Sequence, residues 1–225
     1  MSPHEEIRRY TLRIQRNPND YEAYFYRGLA YQGLRQYDLA ISDYFNAIQL
    51  NPNYADAYTY RGIAYQYLGQ CERAISDYSK SIQLNSNDAF VYYNRGFSYS
   101  DLGQHERAIQ DFSKAIELNP NNAGVYYQRR GVSYGCLGQY QRAIQDFNKV
   151  IQINPNDAVA YHNRGIAYEG LRQYDLALYD YSNAIRLDPN YANAYYDRAS
   201  VYHAIGFYAD AQADLLRARE LGYDG

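Results

Sequence analysis

The sequence repeats itself at a nearly constant interval. An Arg-Gly dipeptide occurs five times and is followed by one Arg-Ala dipeptide, at successive steps of 34, 34, 35, 34 and 34 residues. A period of this length is typical of proteins that stack one small unit several times, because each unit buries its apolar face only against its neighbours. The arginines of the six dipeptides are Arg27, Arg61, Arg95, Arg130, Arg164 and Arg198.

Each unit ends at a signal that stops a helix. Triplets of the type Asn-Pro-Asn recur with the same period, although Ser86 replaces the proline in one of them. Proline cannot continue a helix, and it biases the preceding residue away from helical angles. The triplets begin at Asn51, Asn85, Asn119, Asn154 and Asp188.

Two helical patterns lie between consecutive stops. In the first unit, Tyr24, Gly28 and Tyr31 share one face of a helix. After a break at residues 34–36, a second apolar stripe follows with helical spacings. It consists of Tyr37, Ala40, Ile41, Tyr44, Ala47 and Ile48. No segment shows a sustained period of two, so the sequence predicts an all-α fold.

Small and aromatic side chains occupy corresponding places in successive units. The matching residues of the first unit are Tyr24, Gly28, Tyr31, Ala40, Tyr44, Ala47 and Pro52. In these places the chain resembles the tetratricopeptide repeat (TPR) family, with tyrosine where that family has tryptophan and arginine where it usually has leucine. The resemblance implies a right-handed superhelical solenoid of six helix-turn-helix hairpins plus an N-terminal capping helix.

The phase of the repeat predicts the boundaries of the units. Residues 1–19 match only the second helix of a unit and are predicted to form a capping half-repeat. The six full repeats are predicted at residues 20–53, 54–87, 88–121, 122–156, 157–190 and 191–225.

Both ends of the array carry features expected of solenoid ends. Ser2 and Glu5 have the spacing of a capping box, with Pro3 in the first helical position. In the last unit, Gln212 and Arg219 replace the isoleucines of the first unit, as expected of a polar outer face. The array is therefore expected to be complete in its folded part, although it can also have been cut from a longer chain.

Composition argues against several kinds of partner. The formal net charge is −3 and the isoelectric point is about 5.8, so no basic field attracts nucleic-acid phosphates. No apolar run approaches the roughly 20 residues needed to cross a bilayer, and the N-terminus lacks the apolar stretch of a secretory signal. Cys71 and Cys136 lack a C-x-x-C spacing and are predicted to be free thiols. These features predict a cytoplasmic protein that binds neither nucleic acid nor membrane.

The sequence offers few groups for catalysis or metal binding. It has four histidines but no His-x-x-x-His pair, no cysteine–histidine cluster and no Gly-rich phosphate loop. His162 and His203 are expected to face the same groove, but no carboxylate partner for a metal site is evident there. The sequence therefore predicts a protein that is not an enzyme and that has no cofactor and no metal.

In the TPR family, the first helix of each hairpin lines a concave groove that binds extended peptides or partner helices. The resemblance therefore implies a protein–protein interaction scaffold or adaptor. Aromatic residues repeated off the core stripe support this, because exposed rings are common anchors of interfaces. The candidate groove residues are Glu22, Phe25, Tyr26, Leu29, Asp56, Tyr60, Ile63, Phe90, Tyr93, Asn94, Phe97, Arg129, His162, Asn163, Tyr196 and Asp197.

Packing between neighbouring units is the alternative interpretation for part of this set. It remains open for the apolar residues beside the core stripe, which are Leu29, Ile63, Phe97, Val132 and Ile166. It suits Tyr26, Tyr60 and Tyr93 less well, since scaffold packing does not require rings at those places.

The charges near the expected groove are mostly acidic. Glu22, Asp56 and Asp197 outnumber Arg129, which predicts a protein or peptide partner with apolar and some basic side chains. Some TPR proteins hold a chaperone's C-terminal carboxylate with Lys and Asn side chains, which are absent from the corresponding places here. Two other functions stay open, a self-associating homo-oligomeric scaffold and a regulatory module of a larger protein.

An ion pair is predicted inside every repeat. A partly buried arginine needs a partner that offsets its desolvation, and each second helix carries one aspartate at a fixed place. Pairing with the preceding unit would leave Arg27 without a partner, because Arg9 holds the equivalent place. We therefore expect each repeated arginine to pair within its own unit, the alternative being solvated charges. The aspartates are Asp43, Asp77, Asp111, Asp146, Asp180 and Asp214.

The single 35-residue step places one extra residue before Arg130. A π-bulge in the helix can hold it, and such bulges often mark functional sites. The loop before the helix can also absorb it, with Gly124 easing the chain and Tyr127 taking the aromatic place. The loop is the favoured interpretation, because it leaves every helical hydrogen bond intact.

Overall fold

Short turns separate α-helices along the described chain. The computed structural model describes residues 2–223, which contain thirteen α-helices, one 3₁₀ segment and no strand. The chain divides into two compact units, Met1–Pro120 (unit 1) and Asn121–Gly225 (unit 2). The predicted all-α fold is confirmed.

Unit 1 contains one helix followed by three helical hairpins. Its helices are α1 (Pro3–Arg16), α2 (Tyr21–Gly33), α3 (Tyr37–Leu50), α4 (Ala55–Tyr67), α5 (Cys71–Leu84), α6 (Ala89–Asp101) and α7 (His105–Leu118). The first helices of the hairpins, α2, α4 and α6, pack antiparallel against the second helices α3, α5 and α7 across three-residue turns. Each first helix also packs against the helix that precedes it.

Unit 2 contains three more hairpins. Its helices are α8 (Gly124–Cys136), α9 (Tyr140–Ile153), α10 (Ala158–Gly170), α11 (Tyr174–Leu187), α12 (Ala192–Ala204) and α13 (Tyr208–Glu220). Here α8, α10 and α12 are the first helices, and α9, α11 and α13 are the second helices.

A glycine of the first helix lies against a ring of the second helix in five hairpins. A Cβ atom added to Gly28 would lie 2.7 Å from Cε1 of Tyr44, and one added to Gly165 would lie 2.6 Å from Cε1 of Tyr181. Both tyrosine rings are fully buried. The small residues therefore permit the close approach of the two helices, as predicted from the sequence. The same contact recurs at Gly62, Gly96 and Gly131.

The turn inside each hairpin contains one residue in the left-handed region. Glycine holds this place at Gly69 and Gly103, where φ is 72° and 70°. Arginine holds it at Arg35 and Arg172, where φ is 59° and 58°. Left-handed angles strain residues that have a Cβ, so the recurring Leu-Gly-Gln turns are explained by backbone geometry rather than by ligand binding.

Every repeated arginine pairs with the aspartate of its own repeat, as predicted. In all six pairs, Nε and one Nη of the arginine donate to the two carboxylate oxygens at 2.7–2.8 Å. Such two-point pairs fix orientation as well as distance. The guanidinium also lies over two tyrosine rings of its own helix; Cζ of Arg27 is 5.7 Å from the ring centre of Tyr24 and 5.9 Å from that of Tyr31. These rings explain why arginine is accommodated where the family usually has leucine.

Several of these arginines also bond to the helix that precedes their own hairpin, which the sequence did not suggest. Nη1 of Arg27 donates to Oγ1 of Thr11 at 3.1 Å, and Nη1 of Arg95 donates to Oγ of Ser79 at 3.1 Å. In unit 2, Nη1 of Arg198 donates to Oγ of Ser182 at 3.0 Å. Each of these arginines therefore connects its own hairpin to the helix before it.

The extra residue of the 35-residue step lies in the loop before α8, as favoured from the sequence. A 3₁₀ segment, Pro120–Asn122, precedes this helix, and Gly124–Cys136 is α-helical throughout. The amide of Tyr127 donates to the carbonyl of Ala123 at 2.9 Å, an ordinary α-helical hydrogen bond. Tyr127 also takes the aromatic place, since Cζ of Arg130 lies 5.5 Å from its ring centre.

The predicted capping box at the start of α1 is confirmed. The amide of Ser2 donates to Oε2 of Glu5 at 2.8 Å, and the amide of Glu5 donates to Oγ of Ser2 at 3.3 Å. Pro3 is the first residue of the helix. On α13, Gln212 and Arg219 are exposed, as expected for an outer face.

Candidate functional site

The first helices of unit 1 border an open cavity. It has a volume of about 420 Å³ and lies between α4 and α6. Five of the predicted groove residues line it, namely Ile63, Phe90, Tyr93, Asn94 and Phe97. Gln66, Tyr67 and Asp101 complete the lining. We call this set of residues the α4–α6 face.

Phe90 is the most exposed apolar side chain that was predicted for this face. It is 46% exposed, and its amide donates to Oδ1 of Asp88 at 2.9 Å at the start of α6. Tyr93 is half-buried, with its ring centre 6.0 Å from that of Phe112. Asn94 donates from Nδ2 to the carbonyl of Phe90 at 2.7 Å. The face therefore presents two exposed rings, Phe90 and Tyr67, beside more firmly held side chains.

Phe25 does not belong to an exposed groove, so this part of the prediction is wrong. It is 4% exposed and packs in the core of the first hairpin with Tyr44. Its ring centre lies 4.9 Å from that of Tyr54 and 5.6 Å from that of Tyr60. Helix α4 covers Phe25, which shares a core cluster with Ala57 and Ala64 of that helix.

The other predicted residues of α2 and α4 divide into packed and exposed side chains. Leu29 and Tyr60 are half-buried against the Phe25 core, which supports the packing interpretation for both. Tyr26 is 41% exposed and stacks on Tyr10 of α1, with ring centres 5.5 Å apart. The acidic residues Glu22 and Asp56 are exposed at the starts of the two helices.

Two adjoining cavities lie along α8 and α10 in unit 2. The first has a volume of about 430 Å³ and includes the predicted residues Arg129 and Asn163. The second has a volume of about 300 Å³ and is almost entirely apolar. Val132 and Asn163 line both cavities, so the two adjoin each other along these helices.

His162 was also predicted to line the groove, but it is buried, so this part of the prediction is wrong as well. It is 5% exposed, and Nε2 lies 2.7 Å from Oδ2 of Asp197 while Nδ1 lies 3.0 Å from Oη of Tyr191. The sequence therefore also missed its carboxylate partner, Asp197, which lies one repeat later on α12. His203 is exposed on the same helix, and its ring packs against Tyr208. The imidazole connects α10 to α12 and is not available to a ligand.

An acidic residue lies beside this histidine network. Oη of Tyr181 donates to Oε2 of Glu169 at 2.7 Å. Burial raises the pKa of Glu169, and the hydrogen bond from Tyr181 opposes this shift. Tyr196 is half-buried and stacks on Tyr223 at a centroid distance of 4.3 Å. This end of unit 2 is therefore occupied by side chains that bind one another.

A buried tyrosine of the second helix pairs with a polar residue twelve positions earlier on the first helix. This correlation, which we call the pairing rule, was not predicted from the sequence. The buried hydroxyl of Tyr44 donates to Oε1 of Gln32, twelve residues earlier, at 2.9 Å, and Tyr78 donates to Gln66 at 2.8 Å. Tyr181 and Glu169 repeat this pair. Where phenylalanine replaces the tyrosine, no acceptor is needed, and the partner place holds Ser100 before Phe112 or Gly135 before Phe147. A comparison of positions twelve residues apart would have revealed this correlation.

Within residues 2–223, no helix is both long enough and apolar enough to cross a membrane. Among the same residues, no three His, Cys, Asp or Glu side chains are grouped so that they can hold a metal ion. Cys71 is buried and Cys136 is exposed, and both are free thiols, as predicted.

Solved structures similar to this chain are helical repeat proteins. One is MamA, from residue 41 to its end, of Desulfovibrio magneticus RS-1, with 24% identity and a TM-score of 0.71 over 76% of this chain and 97% of that one. YrrB, described as a TPR protein with an unusual peptide-binding site, has 25% identity and a TM-score of 0.66 over 80% and 93%. The C-terminal part of a TPR repeat-containing protein of Cytophaga hutchinsonii has 21% identity and a TM-score of 0.80 over 99% and 92%. A comparison with curated proteins finds no match.

Family models cover most of the chain. Models described as tetratricopeptide repeat match residues 21–54, 89–122, 158–191 and 181–213, and one described as TPR repeat matches residues 67–103 and 131–171. These matches agree with the paired helices, the glycine contacts and the helix stops described above. The chain belongs to the tetratricopeptide repeat family.

Proposed function

We propose that this protein is a non-enzymatic interaction scaffold whose first helices bind an extended peptide or a partner helix. The observation that carries the proposal is the α4–α6 face, where apolar side chains of two successive first helices border one open cavity. A polypeptide that follows the row of first helices meets such side chains at regular intervals. Rings and aliphatic side chains in a recess are the usual anchors of peptide recognition.

The comparisons favour this proposal over a catalytic one. YrrB is described as having a peptide-binding site, and its similarity extends over 80% of this chain. The α4–α6 face includes the acidic residue Asp101 at the end of α6, and Asp56 adds a second acidic residue at the start of α4. They suit a partner that carries basic side chains beside its apolar anchors. Exposed charges of this kind act more on association rate than on affinity, so added salt should weaken binding only modestly.

Replacing Phe90 by alanine is expected to weaken peptide binding without unfolding the protein. Phe90 is 46% exposed, so the folded state loses little buried area, whereas a bound peptide that covers the ring loses an anchor. We expect a loss of about 1–2 kcal/mol in binding, measured with peptides selected from a displayed random library. Thermal unfolding of the same variant should be almost unchanged.

The matched control is Phe45→Ala on the second helix α3. Phe45 is 49% exposed, so its removal changes the surface by a similar amount, but it does not line the α4–α6 face. Equal losses of affinity in the two variants would contradict the proposal, as would unchanged affinity in Phe90→Ala. The alternative occupant of this face is a second copy of the chain. Light scattering of the peptide-free protein over a range of concentrations tests this alternative by measuring the molar mass.

A further inference from the structure

The fourth hairpin contains an apolar recess that the pairing rule explains. In the first, second and fifth hairpins, a long polar side chain of the first helix accepts a hydrogen bond from a buried tyrosine. In α8 and α9 both members are changed, to Gly135 and Phe147. The hydroxyl and its acceptor are therefore lost together, and the volume of the long side chain is left open.

The resulting recess is the 300 Å³ cavity of unit 2, which we call the Gly135 pocket. Its walls include Phe147, Tyr140, Ile166 and Val132, and the thiol-bearing Cys136 lies at its edge. Apart from its two chain neighbours and the nearby backbone of α8, a Cβ atom added to Gly135 would have no atom within 4 Å. The glycine is therefore not required by packing, unlike Gly131 one turn earlier, where the ring of Phe147 would be 2.8 Å away.

A hydrogen-bond acceptor lies in the adjoining 430 Å³ cavity. Oε1 of Gln128 is buried, and it has no hydrogen-bond partner among the described residues. Because this oxygen has no hydrogen bond in the structure, it loses none when the Gln128 side chain turns towards the cavity. It can then accept a hydrogen bond from an N–H group of a bound molecule. Gln128 precedes Gly135 by seven residues, or two helical turns, which places the two sites about 10 Å apart on one face of α8.

We infer that the Gly135 pocket takes one large apolar side chain, such as Leu, Met or Phe, of an extended peptide whose backbone also bonds to Gln128. The inference rests on the proposed function and specifies the partner for unit 2. Apolar walls select an apolar side chain, because a polar one would lose its hydration with no compensating bond. The distance between the two sites corresponds to about three residues of extended chain. The partner is thus a segment with one apolar anchor and a free backbone N–H about three residues away.

Gly135→Gln tests the inference, because it restores the side chain found at Gln32 and Gln66. The new side chain occupies the pocket and replaces a glycine within a helix, but its amide lacks the tyrosine hydroxyl that pairs with Gln32 and Gln66. These effects oppose each other, so the midpoint of thermal unfolding should shift by no more than a few degrees. Peptides selected on the wild-type protein should bind this variant at least about tenfold more weakly. Replacing the peptide's anchor by alanine should weaken binding to the wild type to a similar extent and have little further effect on the variant.

Gly33→Gln is the matched control, since Gly33 is an exposed helix glycine of unit 1. A Cβ added there would also have no atom within 4 Å apart from its two chain neighbours and the nearby backbone of α2. This substitution should leave peptide affinity unchanged. Full affinity in Gly135→Gln, or equal losses in both variants, would overturn the inference.

A second measurement does not depend on any peptide. Cys136 is exposed at the pocket edge, whereas Cys71 is buried. When the protein is equilibrated with equal amounts of dibutyl disulfide and bis(3-hydroxypropyl) disulfide, the Cys136 thiolate attacks a reagent S–S bond, forms a mixed disulfide and releases one thiol. The butylthio adduct should form at least about threefold more than the hydroxypropylthio adduct, because the pocket buries the alkyl chain. Peptide mapping by mass spectrometry gives the ratio, and the preference should vanish in Gly135→Gln. A missing preference, or one that survives this substitution, would overturn the pocket even if peptide binding elsewhere is confirmed.

Discussion

Replacing Asp111 by alanine is expected to lower the free energy of unfolding by about 3–5 kcal/mol, which is the usual effect of removing one partner of a buried ion pair. The Asp111 side chain is only 7% exposed, and it accepts two hydrogen bonds from Arg95 at 2.8 Å. Without it, the guanidinium of Arg95, whose side chain is 18% exposed, would stay largely out of water with no carboxylate to offset its desolvation. Urea unfolding followed by circular dichroism measures the loss.

The control for this variant is Gln110→Ala, an exposed neighbour on the same helix. Its stability should stay within about half a kcal/mol of the wild type, as for most surface substitutions. A loss of only that size in Asp111→Ala as well would show that the pair behaves as a solvated surface pair. In that case the repeated arginines would not stabilise the fold through these ion pairs.

Replacing Gly62 by alanine is expected to destabilise the protein by about 1–3 kcal/mol, as overpacking does in other cores. The added Cβ would lie 2.7 Å from Cε1 and 2.9 Å from Cδ1 of Tyr78. This ring is fully buried, and its hydroxyl is held at the far end by Gln66 at 2.8 Å. The ring therefore has little freedom to move, and α4 must shift away from α5.

The same substitution at Gly135 gives a matched control with the opposite sign. Gly135 also lies on a first helix, but apart from its two chain neighbours its added Cβ would approach no side chain and no other helix within 4 Å. Alanine there should stabilise the protein by up to about 1 kcal/mol through its better helix propensity. Chemical denaturation of both variants measures these changes in the free energy of unfolding. A stabilised Gly62→Ala would contradict the close contact, and a destabilised Gly135→Ala would contradict the open pocket.

Features that repeat along the chain were predictable from the sequence, because the same residue types recur at the same places of the six repeats. The pairing of Arg27 with Asp43 followed from the need to offset a buried charge, together with the absence of a partner for Arg27 in the half-repeat. The loop before α8 followed from the preference for intact helical hydrogen bonds. Both arguments needed only the repeat period and the energetic cost of unsatisfied groups.

Features that depend on the angle between neighbouring hairpins were not predictable in the same way. Phe25 lies next to the core stripe on a helical wheel, and the sequence does not show that α4 covers it. His162 takes the corresponding place in its own repeat and is buried for the same reason, with Asp197 supplied by the next first helix. The Gly135 pocket arises because one hairpin differs from the first, second and fifth hairpins at two paired places. Comparing only the features that all repeats share does not reveal such differences.

Hydrogen exchange with and without a selected peptide tests the central claim most directly. If the first helices bind the partner, peptide addition should slow amide exchange in α4 and α6 of unit 1, and in α8 and α10 of unit 2. Amide exchange in the second helices α5, α7, α9 and α11 should change less, because the proposed peptide contacts are made by the first helices. Protection confined to the second helices, or to the turns between hairpins, would contradict binding along the first helices.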